Sequence, residues 1–430
     1  HLYGKKKRNV AELVANHPYI KPFIKLIQDS PMTVSYNFDD YIETILHETS
    51  LEEMPSEHAR SFETVWDPQL QTKLDQSVIY HPNGFLPERK TERQSEGLVF
   101  CEDEFADQLI ETMAGRYASL LHHYSQNTCL FLGLSLEDST LKHLLRQSAT
   151  LNPGHYHYYV DYCKEAGGKP ATREQQAICE TNFNLYNLIT LFLTAEELKE
   201  MGHLVTLGNE EFLHNAGTAN INLVFCYYVI GAIGVGKSSV ISFFRNLVTH
   251  DEWPDFRRPE LGKRYKKLTV QQEQTTDNWI NRQFETKNDI LSRATSGLHI
   301  IDRAPLDPIA FKKKPARRAR AGSLMQSVCN SDTPKKIQKG HVILLEGDPM
   351  VLEERAQVSG KEYTARDLQE MQETLRRIYD FGKRATVVDT RHKTKEKIVK
   401  IIARIIHMRE YNGVDLHARL SNIAKGKYKC

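Results

Sequence analysis

Apolar and polar positions divide the 430-residue chain into repeated strand-turn-helix units. Helical spacing over residues 21–28 precedes a turn at Ser30-Pro31, and the β-compatible run 32–36 leads into a second helix from Asp39. A strand from Val78 ends in the turn of Pro82, Asn83 and Gly84, and a strand-like run over 97–101 precedes an acidic helix start at 102–105. The apolar run within 128–138 is what a strand buried on both faces of a parallel sheet requires, and it breaks into a Gly/Ser/Asp turn before a helix over 139–147. Residues 155–215 read as a connector: aromatic at first, turning at 167–170, then helical through Leu185, Leu188, Ile189 and Phe192. Thr194 and Glu197 form a capping box that opens a further helix. The second half begins with a strand over 223–230, a glycine-rich loop and a helix-compatible stretch 240–248. A helix from Asp277, strands ending near Asp302, Leu345 and Val388, and a last helix over 395–406 follow.

This alternation predicts an α/β chain of two doubly wound parallel-sheet domains, over 1–165 and 221–430, joined by a helical connector over 166–220. Composition narrows the class. Lys+Arg 57 against Asp+Glu 55 leaves a net charge of +2, which argues against a dedicated nucleic-acid surface. The basic runs 5–8 and 312–320 read as solvated loops, since no aromatic residues interleave with their charges. Seven dispersed cysteines without C-x-x-C spacing indicate neither zinc nor a disulfide framework and suit a reducing, cytoplasmic setting. No apolar run is long enough to span a bilayer. His155 and His157, two apart with no third ligand in view, read as packing rather than as a metal site.

The chemistry begins with Gly231-Ala232-Ile233-Gly234-Val235-Gly236-Lys237-Ser238-Ser239. The pattern G-x-x-x-x-G-K-S after a strand is that of a phosphate-binding loop: glycines let backbone N–H groups close round a polyphosphate, Lys237 reaches the terminal phosphates and Ser238 is placed for Mg²⁺. Binding of ATP or a dNTP with Mg²⁺ is expected there. Earlier in the chain, Ser35 to Asp40 places polar groups at the carboxyl end of a strand, where open α/β sheets put ligand contacts; the same residues suit a helix N-cap equally well.

Four segments together resemble the sirtuin-like domain of prokaryotic NAD-cleaving proteins, over roughly residues 20–165. They are Ser35-x-Asn37-x-Asp39, His81-x-Asn83-Gly84, the stretch 98–105 (LVFCEDEF) and the stretch 131–145 (FLGLSLEDSTLKHLL). The resemblance implies NAD⁺ binding and cleavage of the nicotinamide–ribose bond through an oxocarbenium-like centre. Asn37 would hold the attacking water or ribose, Asp39 the nicotinamide amide, and Gly133 and Ser135 would line the adenosine ribose. Asn83 stands where the family carries its catalytic His before Gly. His81, two residues earlier and on the same face of a strand, is the candidate base, although Pro82 disturbs that strand. The family's Gly-rich first strand-loop is expected to precede His1. The absence of the zinc-binding cysteines of sirtuin deacetylases makes deacetylation the lesser reading.

The second half resembles the deoxynucleoside and nucleoside-monophosphate kinase branch of P-loop proteins. Asp302-Arg303 matches that branch's acid-Arg pair, implying Mg²⁺ or base duty for Asp302 and a grip on acceptor phosphate for Arg303. The segment 354–361, with Arg355 and Lys361, resembles its lid. Three readings follow. In the first, an NAD⁺ hydrolase effector is governed by a nucleotide-sensing kinase-like domain, in the layout of bacterial anti-phage systems that deplete NAD, as a homo-oligomer answering a phage-derived trigger. In the second, a (deoxy)nucleotide kinase is regulated by the sirtuin-like domain. In the third, a nucleotide-gated assembly module turns over nothing.

Overall fold

Three short strands, β1 (Met32–Val34), β2 (Ser61–Val65) and β3 (Gln76–Tyr80), pair in parallel in the order β1-β3-β2. Side chains alternate along β3, so Val78 and Tyr80 enter one core and Ile79 the other. The first core joins β3 to helices Ala118–Gln126 and Ser139–Leu151. The second gathers Ile24, Ile45 and Leu46 from helices Ile20–Asp29 and Tyr41–Glu52. A second parallel sheet follows, β4 (Leu130–Leu132), β5 (His157–Tyr162) and β6 (Leu188–Leu193), in the order β4-β5-β6. The computed structural model describes residues 10–52, 61–67, 76–88, 94–99, 101–164, 172–255, 257, 268–328, 336–379 and 385–428. The chain divides into two units, His1–Asn215 and Ala216–Cys430.

The first unit departs from the sequence reading in three places. The apolar run within 128–138 yields only the three-residue edge strand β4, because Gly133 turns the chain at φ +65°. Residues 97–99 form no strand; Val99 N–H donates to Asn83 O at 2.9 Å instead, laying this segment along the 82–84 turn. Leu188–Leu193, read as part of a helical connector, is strand β6. The helix Arg173–Tyr186 stops at Asn187, whose left-handed backbone (φ +53°) ends it and lets the chain pair with β5. The expected capping box is present, with Thr194 accepting from Glu197 N–H. His155 and His157 are buried packing residues: His157 Nδ1 accepts the Cys129 N–H at 3.2 Å, and burial next to His155 lowers its pKa to about 3.

In the second unit, β7 (Val224–Gly231) is buried along residues 226–230, which places it inside a parallel sheet covered on both faces. Its neighbours are β8 (Val248–His250), β9 (Gly297–Asp302), β10 (His341–Glu346) and β11 (Thr386–Asp389), in the order β11-β10-β7-β9-β8, all parallel. The order reverses at β7, and ligands of open α/β sheets bind at the carboxyl ends beside such a reversal. The helix read over 240–248 is only Lys237–Ile241; the chain then turns back to supply β8. The helix Lys395–Met408 is followed by one more, Leu416–Ala424.

The basic run 312–320 is not a solvated loop. Lys312, Arg317 and Arg320 are buried, and the run starts the helix Arg317–Val328. Lys312 pairs with Asp277 at 2.8 Å and with Glu273, Arg317 with Glu370 at 3.0 Å, and Arg320 donates to Asn281 Oδ1 at 2.7 Å. The run 5–8 lies outside the described residues. Among the described residues no helix is long and apolar enough to cross a membrane.

Candidate functional site

The glycine loop after β7 bends as its sequence demands. Gly234 has φ +82°, and a Cβ there would sit 2.8 Å from Leu352 O, so only glycine fits; Gly231 and Gly236 are also at positive φ. Lys237 folds back over the loop and donates to Gly231 O at 3.1 Å and Ala232 O at 3.2 Å. Burial, reinforced by the nearby Arg303, lowers its pKa to about 8 against the pull of Asp302, Glu252 and Asp307. An ammonium held this way gains a strong partner when anionic oxygen enters the loop.

Ser238 Oγ donates to Asp302 Oδ2 at 2.5 Å, and Asp302 Oδ1 is buried with no hydrogen-bond partner. A hydroxyl and a carboxylate brought together beside a phosphate loop are hard oxygen donors of the kind Mg²⁺ takes, with phosphate and water completing its shell. Among the described residues no cluster of three or more His, Cys, Asp or Glu could hold a metal, so an ion here would depend on the ligand's own oxygens.

The loop opens into a cavity of about 430 Å³. Its lining includes Gly234, Gly236, Lys237, Ser238 and Ser239 from the loop, then Glu252, Arg303, Arg355, Lys361, Lys393 and Lys395. Six cations face one carboxylate, the imbalance a polyphosphate would neutralise. Arg303 sits at φ +70°, a costly backbone state for a side-chain residue. Its Nε donates to Glu252 Oε1 at 2.6 Å, its Nη1 lies 3.5 Å from Asp307 Oδ2, and its guanidinium stacks over Phe311. Burial opposes the charge on Arg303, but Glu252, Asp307 and Asp302 outweigh it and hold the pKa above the usual arginine value. Glu252 is held down at about 2, the Arg303 and Lys237 charges outweighing burial, whereas burial lifts Asp307 to about 6 against the pull of Arg303. Arg303, expected to grip acceptor phosphate, is thus already committed to two carboxylates. The structure brings together the loop residues, Ser238 with Asp302, and Arg303 with Arg355 in one lining. Sequence reasoning missed Glu252, because the chain before it was read as helix as far as Val248 and no strand was read there, and missed Lys393 and Lys395 beyond β11.

In the first unit, β1 and β3 end side by side and carry the other candidates. His81 is fully buried. Its Nδ1 is 2.7 Å from Asn37 O, and its Nε2 is 2.9 Å from Glu43 Oε1. A carbonyl only accepts, so Nδ1 carries a proton, and Nε2 shares one with the Glu43 carboxyl. With both nitrogens engaged, His81 has none free for a substrate, contrary to the base role expected of it. Asn83 is also tied, donating to Tyr36 O at 3.0 Å and accepting from Gln108 Nε2 at 3.1 Å. Gly84, at φ +95°, packs where a Cβ would meet Gly97 O at 2.6 Å. Asp39 Oδ1 accepts the Tyr41 N–H at 3.1 Å, the capping alternative, while Asn37 remains exposed.

Gly133 and Ser135 line a separate cavity of about 590 Å³ at the carboxyl ends of β4 and β5, walled by Phe23, Ile24, Ile45 and Leu46. Asn37, Asp39, His81 and Asn83 are not in that lining. Its walls are largely hydrocarbon, and among the described residues Asp161 is the charged one and Ser135 and tyrosines the polar ones. Among the described residues that line it there is no Lys or Arg.

Residues 31–188 match the SIR2-like domain family, a stretch that runs from before β1 to the start of β6. No curated protein matches the sequence. Among solved structures, the chain is similar to NadR protein in complex with NAD and AMP-PNP, at 11% identity, 80% coverage of each chain and a TM-score of 0.32. It is also similar to the tunicamycin resistance protein of Deinococcus radiodurans, at 15% identity over 42% of this chain and 94% of that one, TM-score 0.26. A gluconokinase from Sinorhizobium meliloti 1021 matches at 17% identity over 48% and 97%, TM-score 0.24. By sequence, then, the chain carries a SIR2-like domain in residues 31–188.

Proposed function

We propose that the second unit binds a nucleoside triphosphate with Mg²⁺ and that this occupancy governs an NAD⁺-cleaving SIR2-like unit. The observation that carries the reading is the cationic cavity over the glycine loop, with its lining residue Ser238 hydrogen-bonded to Asp302 behind it. Mg²⁺, when bound, would neutralise phosphate charge; Ser238 and Asp302 would hold it, and Lys237 would move from its carbonyl partners to phosphate oxygen. Arg355 and Lys361 would close on the phosphates from the segment after β10.

In the SIR2-like unit, nicotinamide leaves NAD⁺ as a neutral molecule, so departure needs no acid. Exposed Asn37 is the group proposed to orient the attacking water, and Asp39 is the carboxylate on the same loop. His81 and Asn83 shape that loop by their buried hydrogen bonds. The biological setting proposed is bacterial anti-phage defence by NAD depletion, with the cytoplasmic chain assembling as a homo-oligomer.

The test is NAD⁺ consumption by the full chain with a panel of ribo- and deoxynucleoside mono- and triphosphates plus Mg²⁺. Nucleotide-dependent loss of NAD⁺ that disappears in Lys237→Ala supports the reading; loss unaffected by nucleotide or by Lys237→Ala refutes the control it assigns to the second unit. A (deoxy)nucleotide kinase regulated by the SIR2-like unit is the second reading, favoured by the engagement of both His81 nitrogens. It predicts phosphoryl transfer to an acceptor with NAD⁺ untouched.

A further inference from the structure

Parallel pairing between β8 and β9 ends at His250 with Ile301. Beyond that rung the two chains carry Asp251 and Glu252 on one side, and Asp302 and Arg303 on the other, with no ladder between them. Lys287, on the helix Val270–Arg293, fills this gap. It is 3% exposed, and its ammonium donates to Asp302 O at 2.6 Å, Glu252 O at 3.1 Å and Asp251 O at 3.3 Å. Three N–H groups meet three carbonyls, and Nζ lies 5.0 Å from the centroid of the Phe284 ring. Lys287 is absent from the cavity lining, so it reaches a bound nucleotide only through the backbone it holds.

We infer that Lys287 is a positioning residue that fixes the Asp302 carboxylate against Ser238, and Glu252 against Arg303, and so sets the affinity of the loop for the metal of a bound nucleotide. This rests on the reading of that cavity as a site for nucleotide with Mg²⁺. The physical argument is one of leverage. Asp302 bonds to Lys287 through its main-chain oxygen and to Ser238 through its side chain, so a shift of the carbonyl displaces the carboxylate directly. Arg303, next in sequence, is held in its left-handed backbone state between the same anchor and Glu252. Polar groups that orient a metal ligand without touching the metal change its affinity when removed, while leaving contacts to the rest of the ligand in place. Phosphate contacts from the glycine loop and Lys237 do not pass through Lys287, which makes the two effects separable.

The experiment measures ATP binding to the full chain by calorimetry, in EDTA and across a Mg²⁺ titration, for wild type, Lys287→Met and Lys287→Arg. Lys287→Met keeps the apolar stem and leaves three carbonyls unpaired. It should raise the Mg²⁺ midpoint roughly 10-fold or more, with ATP affinity in EDTA within about twofold of wild type. Lys287→Arg returns donors to the carbonyls and should recover part of that shift. An unchanged Mg²⁺ midpoint in Lys287→Met, or an equal loss with and without Mg²⁺, overturns the assignment. Should Lys287→Met fail to fold, Lys287→Arg decides: its larger planar head meets the carbonyls in a different geometry and shifts the backbone they belong to, so a midpoint identical to wild type overturns the inference. Wild-type protein that binds no ATP overturns the reading of the cavity as well, whereas Mg²⁺-dependent wild-type binding with indifferent variants overturns this inference alone.

Discussion

Replacing His81 by alanine separates a structural residue from a catalytic one. The ring is fully buried, hydrogen-bonded at both nitrogens and packed against Phe85 with ring centroids 4.8 Å apart. Its removal leaves Asn37 O with the longer Ser35 Oγ bond at 3.4 Å and leaves Glu43 Oε1 with the Thr64 hydroxyl. Glu43 Oε2 is already buried without a partner. A buried hydrogen bond broken from one side costs about 1–3 kcal/mol, and losing two such bonds together with the packing of the ring costs about 4 kcal/mol. Taking about 4 kcal/mol, and about 2–4 °C per kcal/mol for a unit of this size, the melting temperature of the first unit should fall by roughly 8–16 °C. Thermal unfolding of the full chain by circular dichroism reads this. Saturating ATP with Mg²⁺, on the proposed reading, raises the transition of the second unit and keeps the two apart. A His81→Ala protein that melts within about 2 °C of wild type yet loses all NAD⁺ cleavage would refute the reasoning, because the side chain would then be spending its nitrogens on substrate.

Two further outcomes follow from buried charge in the second unit. Asp307 has its pKa raised by burial to about 6, so the folded unit holds a proton that the unfolded chain releases near pH 4; stability from this group is present below pH 4 and is lost as pH rises to about 6. Asp307→Asn should therefore gain in melting temperature relative to wild type between pH 4 and pH 6, and a difference constant across that range would contradict it. Lys312→Ala should destabilise the unit by about 2 kcal/mol in urea unfolding, since it removes the buried cation shared by Asp277 and Glu273 and leaves Asp277 with Arg320 at 3.7 Å; a change below about 0.5 kcal/mol, as at a solvated loop, would contradict the buried network.

What the sequence made legible was whatever is written in consecutive residues. The glycine loop was readable because its function lies in backbone conformation, which glycine spacing encodes directly. The β9 end was readable because Asp302 and Arg303 directly follow an apolar run. Partners distant along the chain were not. His81 looked available until Glu43, 38 residues earlier, was found on its second nitrogen. The run 312–320 looked solvated because its counter-charges, Glu273, Asp277 and Glu370, come from two other helices. Local pattern also misled. Leu185, Leu188, Ile189 and Phe192 have helical spacing, yet the left-handed Asn187 interrupts them and turns the latter half into β6. Glu252 stayed hidden for a related reason, since three residues of strand are too few to show a period.

The reversal of strand order at β7 has a consequence for how the second unit can vary. Glu252 and Arg303 hang from β8 and β9 on one flank; Arg355, Lys361, Lys393 and Lys395 hang from β10 and β11 on the other. Only the glycine loop belongs to the strand between them. Two sets of side chains therefore address opposite ends of whatever lies across the loop, through separate stretches of backbone. The flanks still feel each other across that space, since Lys361 helps to hold the Glu252 carboxyl down, so substitutions at Glu252 and Lys361 should combine non-additively although they hang from different strands.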